Sequence, residues 1–244
     1  MITNFQWFGP AHILSLFAAA LIGTVFIVKG VKLRDEKQRA KARYLLAAVL
    51  ILVRGSRYIM DVFFGVFEWP DLFSLHICHI DLILLVVCLI RPNKSLFAFC
   101  FLIGIPTALS VALFPGSNHP APGLPRAVLF IMSHTLLVMG ALYLAVTHRM
   151  KPTLRSYLLI AGAGNIGLIL VYFLNKLLGT NFLYIMQAPK GTVIASLEKT
   201  FGWPGYVLVL DVLALALMLL MLLIGTLLHR VVTRGKALDS APPI

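Results

Sequence analysis

The sequence predicts an all-α polytopic membrane protein: a seven-transmembrane-helix bundle with its N-terminus outside and its C-terminus in the cytoplasm. Three observations predict it. Hydrophobic residues make up 60% of the 244-residue chain and charged residues only 12%, against roughly 25% charged in a soluble domain. Seven apolar runs have the length of a span. Basic residues crowd into alternate connections. The mean hydropathy of +0.94 fits a surface covered largely by lipid.

The runs lie at roughly 10–28, 44–66, 73–90, 95–114, 126–147, 156–178 and 204–228. Each approaches the ~20 residues that cross a hydrocarbon core of about 30 Å. Charged or helix-breaking segments bound them: KGVKLRDEKQRAKAR, EWPD, RPNK, FPGSNHPAPGLP and HRMKPTLR, then a Gly/Pro-containing stretch at 179–203. The opening MITNFQWFGP lacks a basic n-region and a small-residue cleavage site, so the first run is expected to be a retained span. Together these leave one membrane domain over 1–236 and a disordered cytoplasmic tail over 237–244.

Orientation follows from Lys and Arg. Fifteen lie in the first, third and fifth connections and the tail; four (Arg126, Lys176, Lys190, Lys199) lie on the other side, and Arg54 and Arg57 fall inside the second run. The richer side is cytoplasmic. The net charge of +12 is therefore read as topology, and nucleic acid is not expected as a partner. Trp7, Trp69 and Trp203 all fall at the outer boundary, where indole rings prefer to sit. The three cysteines, Cys78, Cys88 and Cys100, all lie in apolar runs and show no disulfide framework or zinc spacing.

An ionisable residue at the centre of a span costs on the order of 3 kcal/mol and marks a buried or functional site. Here such residues share one depth. Arg54 lies near the middle of the second run, with Arg57 and Asp61 beyond it. His76, Cys78, His79 and Asp81 open the third; Ser133 and His134 come two turns into the fifth. Asn175 ends the sixth, Asp211 lies two turns into the seventh, and His12 just inside the first. All fall between the outer interface and the midplane, which implies a polar cavity opening outward. Arg54, Arg57 and Asp61 share one helical face, and so do Cys78 and Asp81. An Arg–Asp pairing between Arg54 or Arg57 and Asp61, Asp81 or Asp211 is expected. The plain alternative is that these groups only hold helices together.

Among the cysteines, Cys78 alone is surrounded by histidines and an acid. A thiol reacts as its thiolate and needs a base or a positive neighbour. His134, at similar depth, is the candidate base, and Cys/His pairs support acyl transfer through a thioester. His76, His79, Asp81 and His134 have zinc-ligand chemistry but no zinc-helix motif, so neither metal nor cofactor is expected.

LHICHIDL at 75–82, YFLNKLLGTNFLYIMQAPKGT at 172–192, GWPGY at 202–206, FGPAH at 8–12 and SHTLLVMG at 133–140 resemble the YwaF family of bacterial integral membrane proteins. That family is similar to the eukaryotic transmembrane protein 164 group, associated with acyl transfer onto ether lysophospholipids. The resemblance implies a place in the bacterial inner membrane and a phospholipid substrate. It makes Cys78 the nucleophile of a His-x-Cys motif, His76 the motif histidine and His134 the later membrane histidine. The TNFLYI segment, the most specific piece, adds Asn181 and Tyr184 to the binding set.

Residues 179–203 are read either as an interfacial connector, with Phe182, Tyr184 and Trp203 at the headgroups, or as a lid or re-entrant segment. Three functions compete. The first is a membrane-embedded lipid acyltransferase or hydrolase in which Cys78 attacks, His134 moves the proton and Arg57 grips a phosphate. The others are a transporter of small polar solutes, and a non-catalytic binding protein or sensor using histidine titration.

Overall fold

In a computed structural model, residues 6, 8–67, 74–114 and 123–239 are described. They form eight helices, with no strand among them: α1 (Pro10–Lys32), α2 (Glu36–Phe63), α3 (Ile77–Ile90), α4 (Lys94–Leu113), α5 (Leu124–Thr147), α6 (Leu154–Leu178), α7 (Val193–Phe201) and α8 (Gly205–Asp239). Trp7 and Trp69 lie outside the described residues, as do residues 240–244 of the expected tail, whose first three residues continue α8.

Local chemistry sets the boundaries. Pro10 stands in the first turn of α1, where its missing N–H costs nothing. Asp35 caps α2 by accepting from Gln38 N at 3.1 Å, so α2 begins inside the charged connection, eight residues before the apolar run. Asn93 Oδ1 accepts from Ser95 N and Leu96 N and restarts the chain as α4. Thr153 and Ser156 form a capping box at α6, which stops at Gly179 in the left-handed region (φ 65°).

Five helices are long and apolar enough to cross a membrane: α1, α4, α5, α6 and the Gly205–Arg234 part of α8. The other two expected spans differ from that standard. α2 has 28 residues, but charged ones at its start and Arg54, Arg57 and Asp61 near its end. α3 has 14 residues, about 21 Å at 1.5 Å per residue, short of the hydrocarbon thickness.

α5 is the hub. It packs against α1, α2, α3, α4 and α8. Leu136, Leu137, Ala141, Tyr143 and Leu144 of α5 join Leu46 and Leu50 of α2, Leu85 and Leu89 of α3, and Phe97 and Phe101 of α4 in one core. α1 lies close along α5 because Gly23 faces Met139; a Cβ there would overlap the methionine side chain. His12 of α1 reaches α4, its Nε2 2.7 Å from Ala112 O. By contrast α6 buries only Asn175 and exposes Leu158, Leu159, Ile166, Ile169, Leu170 and Phe173. Such a face is stable only against lipid or another apolar partner.

Candidate functional site

The last three turns of α2 carry Arg54, Arg57 and Asp61 on one face, and all three side chains are buried. Asp61 is the centre. Its Oδ1 accepts a hydrogen bond from Arg126 Nε, and its Oδ2 lies 3.3 Å from Arg57 Nη2, an ion-pair distance without hydrogen-bond alignment. Arg54 Nη2 is bonded to His79 Nε2 of α3. Aromatic rings cover the guanidinium faces. Tyr58 lies 5.1 Å from Arg54 and 5.7 Å from Arg57, and Phe130 lies 5.5 Å from Arg57.

The expected pairing within α2 is therefore present as Arg57–Asp61. Its second partner, Arg126, was not anticipated. Arg126 stands in the first turn of α5 directly after Pro125, and read as a boundary cation it entered only the charge count. In the structure it is 9% exposed and tied to α2. Burial of an arginine at a helix start depends on which helix stands beside it, and nothing local in the sequence reveals that.

His76 is the N-cap residue of α3. Its ring lies 4.7 Å from the Tyr184 ring, 6.1 Å from Phe182 and 6.4 Å from His79. The stretch 179–203 thus folds back over the start of α3 with a 3-10 turn at Phe182–Tyr184. Leu183 (φ 60°) and Tyr184 (φ 56°) both take left-handed backbone, which is strained for side chains of this size and must be held by surrounding contacts. Asn175 supplies one: its side chain donates to Phe182 O (3.0 Å) and accepts from Phe182 N (2.8 Å). Tyr206 Oη donates to Tyr184 O at 2.7 Å. Asn181 closes the next turn by donating to Gln187 O and accepting from Met186 N. Trp203 stacks on Tyr172 and donates to Ile185 O. Asn175 and Asn181 therefore shape the segment that brings Tyr184 to His76.

Cys78 lies in the first turn of α3 and is half-buried, whereas Cys88 and Cys100 are fully buried. Asp81 and Arg54 are the charged groups that act on its sulfur, with opposite signs. Burial raises the Tyr184 phenol above its ordinary range, and charge on Cys78 adds to that. Asp81, though on the Cys78 face of α3, turns toward α4. Gly104 leaves room for its carboxylate, which a Cβ there would strike, and Asp81 Oδ1 is buried there without a hydrogen-bond partner. A π-turn at Cys100–Gly104 shapes α4 there; such turns recur at functional sites.

His134 is buried on α5, with Nδ1 2.8 Å from Phe130 O and 3.4 Å from Ser133 Oγ. Among the described hydrogen bonds none joins it to Cys78, but it lies within electrostatic range of His79, as do Arg54, His76 and Arg57. Asp211 is half-exposed on α8 and takes part in no described ion pair. Among the described residues no three His, Cys, Asp or Glu side chains converge as a metal would require.

Apolar helices long enough to span, lipid-type faces, and a buried Arg–Asp–His layer carried by α2, α3 and α5 define a helical multi-pass membrane protein. The family is known as well. The TMEM164 family model matches residues 7–222, and the chain belongs to that family. No curated protein and no solved structure matches it.

Proposed function

We propose that the protein is a lipid acyltransferase or lipid hydrolase that works from the outer half of the bacterial inner membrane with Cys78 as nucleophile. The observation that carries this reading is the contrast among the thiols: of the three, Cys78 alone is partly accessible, while Cys88 and Cys100 are fully buried. Membership of the TMEM164 family and the resemblance to the YwaF family support it. Seven spans, with α2 and α3 completing the set, put the charged ends of α1 and α5 in the cytoplasm and Cys78 on the outer side. The fifteen-to-four distribution of basic residues supports this orientation.

In the reaction, a histidine takes the Cys78 proton; His134 is the residue assigned to this role. The thiolate attacks the carbonyl carbon of a lipid ester, and the tetrahedral intermediate collapses with cleavage of the ester C–O bond. The departing alkoxide takes the proton from the imidazolium. A lysolipid hydroxyl or water then attacks the thioester, giving transfer or hydrolysis and restoring the thiol.

Alkylation by a lipid-like electrophile tests this. Labelling is expected to vanish in Cys78→Ala, to fall sharply in His134→Ala, and to persist in Cys88→Ala and Cys100→Ala. Equal labelling of the three cysteines, or full labelling without His134, would refute the assigned pair and favour a site that binds without catalysis.

A further inference from the structure

The arginines of the buried layer do not use their donors equally. Arg126 Nε is taken by Asp61. Arg54 is held at Nη2 by His79, and Arg57 at Nη2 by the charge of Asp61. Their ring-facing sides are occupied by Tyr58 and Phe130. In both residues Nε is shielded from water and has no acceptor. Both side chains are more than nine-tenths buried, at 6% and 7% exposed. A buried donor without an acceptor costs about 1–3 kcal/mol, and an uncompensated buried charge costs more.

The charges do not balance either. Two guanidinium groups, Arg57 and Arg126, share one carboxylate, Asp61, and the third, Arg54, is bonded to His79; the other buried carboxylate in the layer, Asp81, faces Gly104 and Cys100 on α4. Among the described residues of the layer three buried arginines thus stand against two buried carboxylates, one cation in excess, and only Asp61 lies at ion-pair distance from an arginine of the layer. A phosphate neutralises that charge and has enough oxygens to accept from two separate N–H edges, the geometry for which arginine is suited.

We propose that Arg54 and Arg57 form the binding site for the phosphate of a membrane lipid headgroup, with their unpartnered Nε–H edges as its donors. The proposal rests on the lipid-ester reading above and names the part of the lipid the protein grips. The depth agrees. Arg57 lies six residues before the end of α2 at Phe63, about 9 Å of helix, within reach of the headgroup level. The path to the thiol is also short: Arg54 bonds His79, acts on Cys78, and connects through His79 and His76 to Tyr184.

Purified full-length protein in nonionic detergent is titrated with mono-oleoyl glycerophosphate, with monoolein, which has the same chain without phosphate, and with inorganic phosphate. The phospholipid is expected to bind saturably and to raise the melting temperature, monoolein to bind far more weakly, and inorganic phosphate to compete only at high concentration. Arg54→Gln and Arg57→Lys are expected to weaken mono-oleoyl glycerophosphate about tenfold or more. Arg57→Lys keeps the charge beside Asp61, so it carries the test if Arg54→Gln fails to fold. Arg91→Gln, at an exposed loop position, is expected to bind like wild type. Cys78→Ala is expected to bind normally too, so binding survives if the nucleophile assignment fails. Equal affinity for monoolein, or unchanged binding by both arginine variants, overturns the proposal. Inorganic phosphate binding as tightly as the lipid reassigns the site to a soluble anion and overturns the lipid headgroup.

Discussion

Two buried arginine sites at opposite ends of α2 are built from the same residue type and differ in how completely it is satisfied. At the start of the helix, Arg43 is 5% exposed and has no stranded donor. Its Nε donates to Leu89 O at the end of α3 (3.1 Å), and its Nη1 to Glu36 Oε1 (2.9 Å) and His148 Nε2 (2.8 Å). Because Arg43 can only donate, His148 accepts at Nε2 and carries its proton on Nδ1, 2.7 Å from Thr147 Oγ1; the Thr147 hydroxyl donates on to Tyr143 O. The hydrogen bond from Arg43 holds the exposed Glu36 carboxyl below its ordinary range. At the far end, Arg54 and Arg57 each leave Nε without an acceptor. A closed network of this kind ties α2, α3 and α5 together and leaves nothing for a ligand. The open one retains donors without acceptors beside His79 of α3. Buried arginine alone therefore does not mark a functional site; what separates the two ends is how completely the donors are used.

The largest effect that can break this comparison is expected at Asp61. Asp61→Asn removes the charge shared by Arg57 and Arg126 and should cost about 3–5 kcal/mol, read as a marked drop in melting temperature in detergent. If that variant melts like wild type, the layer is hydrated rather than buried and the contrast between the two ends disappears.

The closed network is sharpened by pH. Burial, followed by the charge of Arg43, depresses His148 to about 4 from its ordinary value near 6.5. The sign follows from linkage: the neutral ring is the folded form, so its contribution is complete above about pH 6.5 and is lost as pH falls toward 4. Melting temperatures measured between pH 7.5 and 4.5 should decline, and the decline should be shallower in His148→Gln. An equally steep decline in that variant would move the acid sensitivity to other groups. The smallest effect is expected at Asp211, half-exposed and in no described ion pair; Asp211→Asn should stay within about 0.5 kcal/mol of wild type. A large loss there would reveal a partner for Asp211 and add α8 to the polar layer.

Much of this was legible in the chain. The apolar runs, the charge asymmetry and the i, i+3, i+7 spacing of Arg54, Arg57 and Asp61 are local signals, and the long helices lie where those signals place them to within a few residues, apart from the charged start of α2 and the extended end of α8; the short α7 falls inside the 179–203 stretch, where no helix was expected. The Cys78 neighbourhood was legible in part: Arg54 and Tyr184 lie near it, while His134 shows its described bonds to its own helix. Asn175 and Asn181, expected to face a ligand, are used in shaping the 179–203 segment. Amide side chains bond backbone and ligand with the same atoms, so residue type alone cannot separate those roles.

The sequence by itself determined that this is an all-α chain with apolar helices long enough to span a membrane, because periodicity and hydropathy are properties of each helix separately. Tertiary structure decided the partners. Arg126 meets Asp61 across 65 residues, and Arg43 meets His148 across 105. Such meetings depend on which helices are neighbours and how each is rotated about its axis, and the packing of α1, α2, α3 and α4 around α5 sets both. That packing also turned Asp81 away from the arginines toward Gly104, leaving Arg57 and Arg126 to share Asp61 and Arg54 to pair with His79.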